Sequence, residues 1–304
     1  MRVGISLTST YPAGDVRAGA RQMIERAAAA RDAGLDSLFI GDHHVMPAPY
    51  YQNTPMLGRL LAEWNDQPAG CLFLLPLWNP VLAAEHIGTL ASIAKGRFII
   101  QCGLGSGREQ FAAMGVDIRR RPSLFEEGLA IIRRLLAGET VDFDGRRYHL
   151  SGVRIAPLPP EPVEVWIGGS VEASIDRAAR LGDAWLGGPE LTFDQARHWV
   201  NYYRERCAAH GRTPTCIAIR RDVYVGSDGQ EAKRVGDAIV QRGYRGFDPS
   251  ALVYGSAEQV RDAFASYVDM GYTDVIVRHI TNDHQQVLGS IERLANVREL
   301  VRGL

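Results

Sequence analysis

The residues best suited to chemistry come early, at Gly41-Asp42-His43-His44, just after the apolar run Ser37–Ile40. An imidazole titrates near neutrality, so a histidine at the end of a strand is placed for acid/base work. Side chains alternate along an extended chain, so His43 and His44 cannot both face one point. One faces a site and the other packs sideways, which argues against the pair holding a single metal. No cysteine pair has CxxC spacing, no H-x-H motif ends the first strand, and no metal is expected. Two glycine turns follow. Gly103-Leu104-Gly105-Ser106-Gly107 lets backbone approach a ligand closely, but its spacing is not that of a dinucleotide fingerprint. Ile167-Gly168-Gly169-Ser170 opens a helix, where free N–H groups and the helix dipole favour an anion. Ser170 either caps that helix or donates to a phosphate oxygen, and the sequence leaves both uses open. In many barrels a phosphate is held instead after strands seven and eight. Trp64, Trp78 and Trp185 stand in loops or at strand ends. They either line a pocket for a flat ring or apolar substrate, or belong to the core. The run Arg119-Arg120-Arg121 reads first as a solvated face.

Short apolar runs closed by Gly, Pro or polar residues must position these groups. They are Val3–Leu7, Ser37–Ile40, Cys71–Leu75, Phe98–Cys102, Val163–Ile167, Ala184–Leu186, Ile217–Val225 and Asp274–Val277. Such runs suit strands buried on both faces. Helical patterns fall between them, at Ala18–Ala33, Val81–Ala94, Pro122–Ala137, Val171–Leu181, Phe193–His210, Ala257–Met270 and Gln285–Arg302. Most stop at a glycine, and Asn79-Pro80 is a natural helix start. Eight strands alternating with helices predict an α/β protein, a single (β/α)8 TIM barrel over residues 1–304. The long gaps 104–162 and 226–273 predict insertions after strands four and seven, the first with a small hairpin around Asp144-Gly145. The rival doubly wound fold would carry its glycine fingerprint after strand one, where this chain has Thr8–Asp15.

The chain has 304 residues, 46% of them hydrophobic, and a formal net charge of −1. That balance gives no electrostatic reason to expect nucleic acid or an anionic membrane as partner. The longest apolar stretch, Cys71–Leu75, is far too short to span a bilayer, and the N-terminus reads as a strand rather than a signal peptide. Cys71, Cys102, Cys207 and Cys216 are scattered, so a cytoplasmic protein without structural disulfides is expected.

The chain also resembles the bacterial luciferase-like family of flavin- and deazaflavin-dependent oxidoreductases. The segments that carry the likeness run from Leu74-Leu75-Pro76-Leu77 through Asn79-Pro80 to Gly96-Arg97-Phe98. They continue through Gly103–Gly107, Phe111–Gly115, Tyr148–Leu150, Val165–Ser170 and Ala178–Leu186 to Gly255–Val260. The resemblance implies a ring held at the barrel mouth against Leu74 and Leu75, often over a non-proline cis peptide. It implies a cofactor phosphate near Gly168, Gly169 and Ser170, with Gly103, Gly105 and Ser106 close by. His43 and His44 resemble the luciferases' His-His pair, with Asp42 where they carry Glu and Gly105 where they carry a reactive cysteine. The activity implied first is a monooxygenase using reduced FMN and oxygen on a small organic substrate, supplied by a separate flavin reductase. The alternative is hydride transfer with the deazaflavin coenzyme F-420. A homodimer is common in the family. Outside these, a ligand-binding barrel without catalysis and a metal-dependent barrel hydrolase are the remaining readings.

Overall fold

In a computed structural model, residues 1–11 and 14–302 are described. Eleven strands are present: β1 (Arg2–Leu7), β2 (Leu38–Ile40), β3 (Ala69–Leu74), β4 (Phe98–Gly103), β5 (Val141–Asp144), β6 (His149–Val153), β7 (Glu164–Gly168), β8 (Ala184–Gly187), β9 (Cys216–Val225), β10 (Val253–Gly255) and β11 (Asp274–His279). The helices are α1 (Val16–Asp32), α2 (Asn53–Leu60), α3 (Pro80–Ile93), α4 (Arg108–Ala113), α5 (Arg121–Leu136), α6 (Glu172–Leu181), α7 (Phe193–Ala209), α8 (Gly229–Gln241), α9 (Ala257–Met270) and α10 (His284–Arg302).

Eight of the strands close a parallel ring in the order β1-β2-β3-β4-β7-β8-β9-β11, with β11 returning to β1. This is the (β/α)8 barrel that the alternating runs predict. The hairpin β5–β6 is antiparallel and lies in the insertion after β4. The insertion after β9 holds α8, the short strand β10 against the end of β9, and α9. Neither α2, α8 nor β10 is foreseen from the sequence. α2 and β10 are short, whereas α8 is an amphipathic helix that the sequence reading passed over, and each packs outside the barrel wall.

The buried apolar residues form two layers of the barrel and a smaller cluster of Tyr224, Ala232, Leu252 and Ile280 under the insertion after β9. Phe39, Ile99, Trp166, Ala184, Cys216, Ala218 and Ile276 fill the barrel interior. A larger shell, including Trp64, Leu75 and Trp185, lies between strands and helices. The interior plug has ion-paired residues beneath it at the N-terminal end, where Arg2 meets Asp274 at 2.7 Å. Above it, at the C-terminal end, polar side chains gather. This rim, built from the strand ends and the loops that follow them, is the usual place for function in such barrels. No helix among the described residues is long and apolar enough to cross a membrane. All four cysteines are free and buried.

Candidate active site

The site is organised by Asp42, whose side chain is fully buried at the end of β2. Its Oδ2 accepts from the Leu74 N–H and from Trp78 Nε1, each at 2.8 Å. A buried carboxylate is stable only when so partnered. The two bonds tie the His43-His44 turn to the end of β3. His44 completes a second tie, because its N–H donates to Gln110 Oε1 at 2.7 Å. Gln110 lies on α4, directly after the glycine loop that follows β4. Three neighbouring turns, from β2, β3 and β4, are thus locked together by two side chains.

The two histidines diverge. The His43 ring lies 6.0 Å from the Tyr50 ring, on one side. The His44 ring lies 5.9 Å from Trp78, on the other. Val45, next along, is held at φ 55°, a costly conformation for a β-branched residue. Burial pushes the His43 imidazole below its ordinary pKa, against the opposing pull of the Asp42 charge. His44 Nε2 comes within 3.2 Å of Asp42 Oδ1, but the pair lacks hydrogen-bond alignment, and both atoms are buried without a partner. Gln101 Nε2, on β4 opposite Leu72, is also buried and unpartnered. Burying polar atoms unpaired costs free energy, and here two of them, Asp42 Oδ1 and His44 Nε2, face each other.

Leu74 packs against the glycine loop: a β-carbon built on Gly103 or Gly105 would meet its methyl groups at 3.3 and 3.6 Å. Gly105 has φ +71°, which favours glycine, and Arg121 Nη1 donates to its carbonyl at 3.0 Å. Ser106 is exposed at the loop's tip. Beyond β4, the Gly168-Gly169-Ser170 turn ends β7. Its helix begins one residue later than the sequence suggests, with Val171 as cap. Ser174 Oγ, not Ser170, serves the Val171 backbone, bonding both its N–H and its carbonyl. Ser170 is therefore not the cap. A β-carbon on Gly169 would come within 2.4 Å of Ser174 Cβ, so helix packing demands that glycine. Gly168 is different. Its nearest neighbours would be the Cys102 and Leu186 carbonyls at 3.7 and 3.9 Å, ordinary contacts. Trp166, two residues back, points into the barrel, so Gly168 opens onto the mouth.

Four expectations need correction. Trp64 is 2% exposed, follows α2 below the start of β3, and bonds the Gln67 carbonyl at the opposite end of the barrel. Trp185 is fully buried on the outer face of β8, against Tyr203 and Tyr272. Neither lines the mouth; Trp185 instead donates to the Gly169 carbonyl at 2.9 Å and so braces the turn from behind. Leu75 turns its side chain into the strand–helix shell, leaving Leu74 to face the glycine loop. The peptide bonds at Leu74–Pro76 are trans, since the cis bond among the described residues is Ala156–Pro157. A 3-10 turn at Leu75–Leu77 makes the bend there.

Sequence reading missed the far wall of the mouth. Arg220 and Asp222 on β9, with buried Arg221 between them, and Arg278 on β11 form it, and Tyr244 and Arg245 join them from the insertion after β9. Charges inside the strand CIAIRRDVYV were the available signal. Tyr50 links the two walls. Burial pushes its phenol up to about 12, and the positive field of Arg278 pulls the other way.

The luciferase-like monooxygenase family model matches residues 1–251. The F420-dependent glucose-6-phosphate dehydrogenase of Amycolatopsis mediterranei (strain U-32) is 29% identical over 187 residues, 58% of this chain and 56% of that one. The chain spans about two fifths to just over half the length of the curated relatives it matches. Monooxygenase RslO1 from Streptomyces bottropensis superposes with a TM-score of 0.86 at 20% identity, covering 100% of both chains. A type II Baeyer-Villiger monooxygenase from Pseudomonas putida, in complex with FMN, does so at 0.83 with 18% identity, covering 98% of each. By the family match over most of its length, the chain belongs to the luciferase-like monooxygenase family of oxidoreductases.

Proposed function

We propose that the protein holds a flavin-type ring across its barrel mouth and exchanges reducing equivalents between that ring and a small molecule. One observation carries the reading: Asp42 and Gln110 lock the turns after β2, β3 and β4 into one wall, and Gln101 Nε2, on the interior-facing side of β4, is buried without a partner. The residues fit such a group. Leu74, Gly103 and Gly105 form a flat apolar floor for a ring. Gly168 leaves open room beside the free N–H groups of a helix start, and Ser170 keeps its hydroxyl for a phosphate. Ser106 is near enough in the chain to assist from the glycine loop.

The bound ring supplies hydride or, as a reduced flavin, oxygen activation. The chain's own residues orient it, exclude water and manage protons. His43, whose pKa burial lowers, accepts or returns a proton at an imidazole nitrogen; His44 is the second choice. Asp42 positions Trp78 and the end of β3 and does not itself act on substrate. Trp78 packs on the strand–helix shell, against Phe73 and His86 as well as His44, and so supports the Asp42 turn from behind rather than lining the mouth.

Of the two cofactors, deazaflavin coenzyme F-420 is favoured by sequence likeness. The F420-dependent relative shares 29% identity over 187 residues, whereas the FMN-bound neighbour shares 18% and supports the fold alone. The monooxygenase reading, with reduced FMN from a partner reductase and oxygen as co-substrate, rests on the family's description. Titrating the purified protein with each cofactor, followed by quenching of its fluorescence, separates them. Tight binding of F-420 over FMN supports hydride transfer; the reverse, with substrate-dependent oxygen uptake, supports the monooxygenase. Binding of neither rejects the proposal in favour of a barrel without this chemistry. A homodimer packed through barrel helices belongs to the same proposal and is read by solution mass.

A further inference from the structure

The mouth has a second wall that this ring assignment does not use. The β9–β11 register sets Ile276 beside Arg220 and Arg278 beside Asp222. Ala218 and Ile276 face the barrel interior, so by alternation Arg220, Asp222 and Arg278 do as well, Arg220 level with Ile276 and the Asp222–Arg278 pair one step nearer the rim. Asp222 is fully buried. Arg220 Nε meets its Oδ1 at 3.1 Å, Arg245 Nη1 its Oδ2 at 2.9 Å, and Tyr244 Oη donates to Oδ2 at 2.7 Å. Arg278 makes one bond with a described residue, from Nε to Thr8 Oγ1 at 3.3 Å. Burial and then repulsion from Arg220 push the Arg278 guanidinium down to about 10, with Asp222 only partly opposing.

Two guanidinium groups on Asp222, and a third, Arg278, beside it in register, leave an excess of two positive charges around one buried carboxylate. A structural ion pair needs no such excess, and holding it costs free energy until an anion arrives. Arg245 adds a further sign. It sits at φ 51° in the turn Tyr244–Gly246, a strained conformation that brings its side chain over Asp222. Guanidinium groups present paired donors that match the oxygens of carboxylate and phosphate. The ends of the seventh and eighth barrel strands are also where barrels often gather an oxyanion.

We propose that Arg220 and Arg245, held on Asp222, together with the neighbouring Arg278, form an oxyanion subsite for the carboxylate or phosphate of the substrate. The subsite faces the Leu74 wall across the mouth, so an anchored substrate would present its reacting carbon toward the ring. This rests on the ring assignment for its role, but the anion binding itself does not.

The test uses inorganic phosphate as probe, at fixed ionic strength so that general screening is constant. Thermal stabilisation of the wild-type protein by phosphate is expected. Arg278→Met weakens the response roughly tenfold or more, and Arg278→Lys retains part of it. Arg245→Met is the second variant, since Arg245 is exposed and its loss leaves Asp222 with Arg220 and Tyr244. It is expected to weaken the response several-fold while folding normally. Titration of the same variants with F-420 and FMN then assigns the anion. Unchanged cofactor affinity supports a substrate subsite. Affinity lost in parallel gives the arginines to the cofactor phosphate and overturns it, as does a phosphate response that is absent in the wild type or unchanged in both variants. If the wild type binds phosphate but neither cofactor, the ring assignment fails and the oxyanion site stands.

Discussion

Replacing Gly168 by alanine separates ligand space from protein packing. The added methyl meets the Cys102 and Leu186 carbonyls at 3.7 and 3.9 Å, so the fold accommodates it. Loss of glycine's unfolded-state freedom raises stability by roughly 0.4–1 kcal/mol. The methyl nevertheless enters the mouth where the cofactor phosphate is assigned. Disturbing one charge-assisted N–H contact there costs about 1.5–3 kcal/mol, or roughly 10- to 100-fold in Kd. Gly169→Ala is the control. Its β-carbon would come 2.3 Å from Ser174 Oγ and 2.4 Å from Ser174 Cβ. Overpacking of that kind costs about 1–3 kcal/mol and lowers Tm by roughly 2–8 °C in a chain of this size. Calorimetric melting and cofactor titration on the two variants measure both quantities. The reasoning is refuted if Gly168→Ala binds cofactor as tightly as wild type, or if it melts below Gly169→Ala.

Three further outcomes are expected. His43→Ala lowers turnover about 10²- to 10⁴-fold with cofactor affinity nearly intact, measured by steady-state kinetics and titration; unchanged turnover removes His43 from the chemistry. Asp42→Ala strands the buried N–H groups of Leu74 and Trp78 and costs about 2–5 kcal/mol in denaturant unfolding, whereas a surface aspartate would cost little. His279 is buried beside Ser290 and its pKa is pushed down to about 3 by burial first, with Arg26 adding to it. It stays neutral when folded, while the unfolded residue takes a proton below about 6.5. Its contribution is therefore intact above that pH and declines as pH falls toward 3, by about 2 kcal/mol at pH 5. His279→Asn should flatten the acid limb of the stability curve between pH 6.5 and 4; an unchanged limb assigns acid sensitivity elsewhere.

Periodicity alone located the barrel strands, because a strand covered on both faces must be apolar along its length and must end where the chain turns. Runs such as Phe98–Cys102 and Ala184–Leu186 are local signals that need no partner to be read. The glycine turns and Asp42-His43-His44 stood out for the same reason: their residue types are conspicuous in sequence. What only the tertiary structure decided is direction and neighbourhood. Trp64 and Trp185 have the composition of pocket residues, yet one lies at the far end of the barrel and the other on its outer face. Which face a side chain takes depends on strand register and twist, and those are set by closure of the ring. The arginine wall shows the converse. Arg220 and Arg278 lie 58 positions apart in the chain, and Arg245 stands in an insertion between them. Their charges become one field only because β9 and β11 pair side by side, a long-range contact with no local trace.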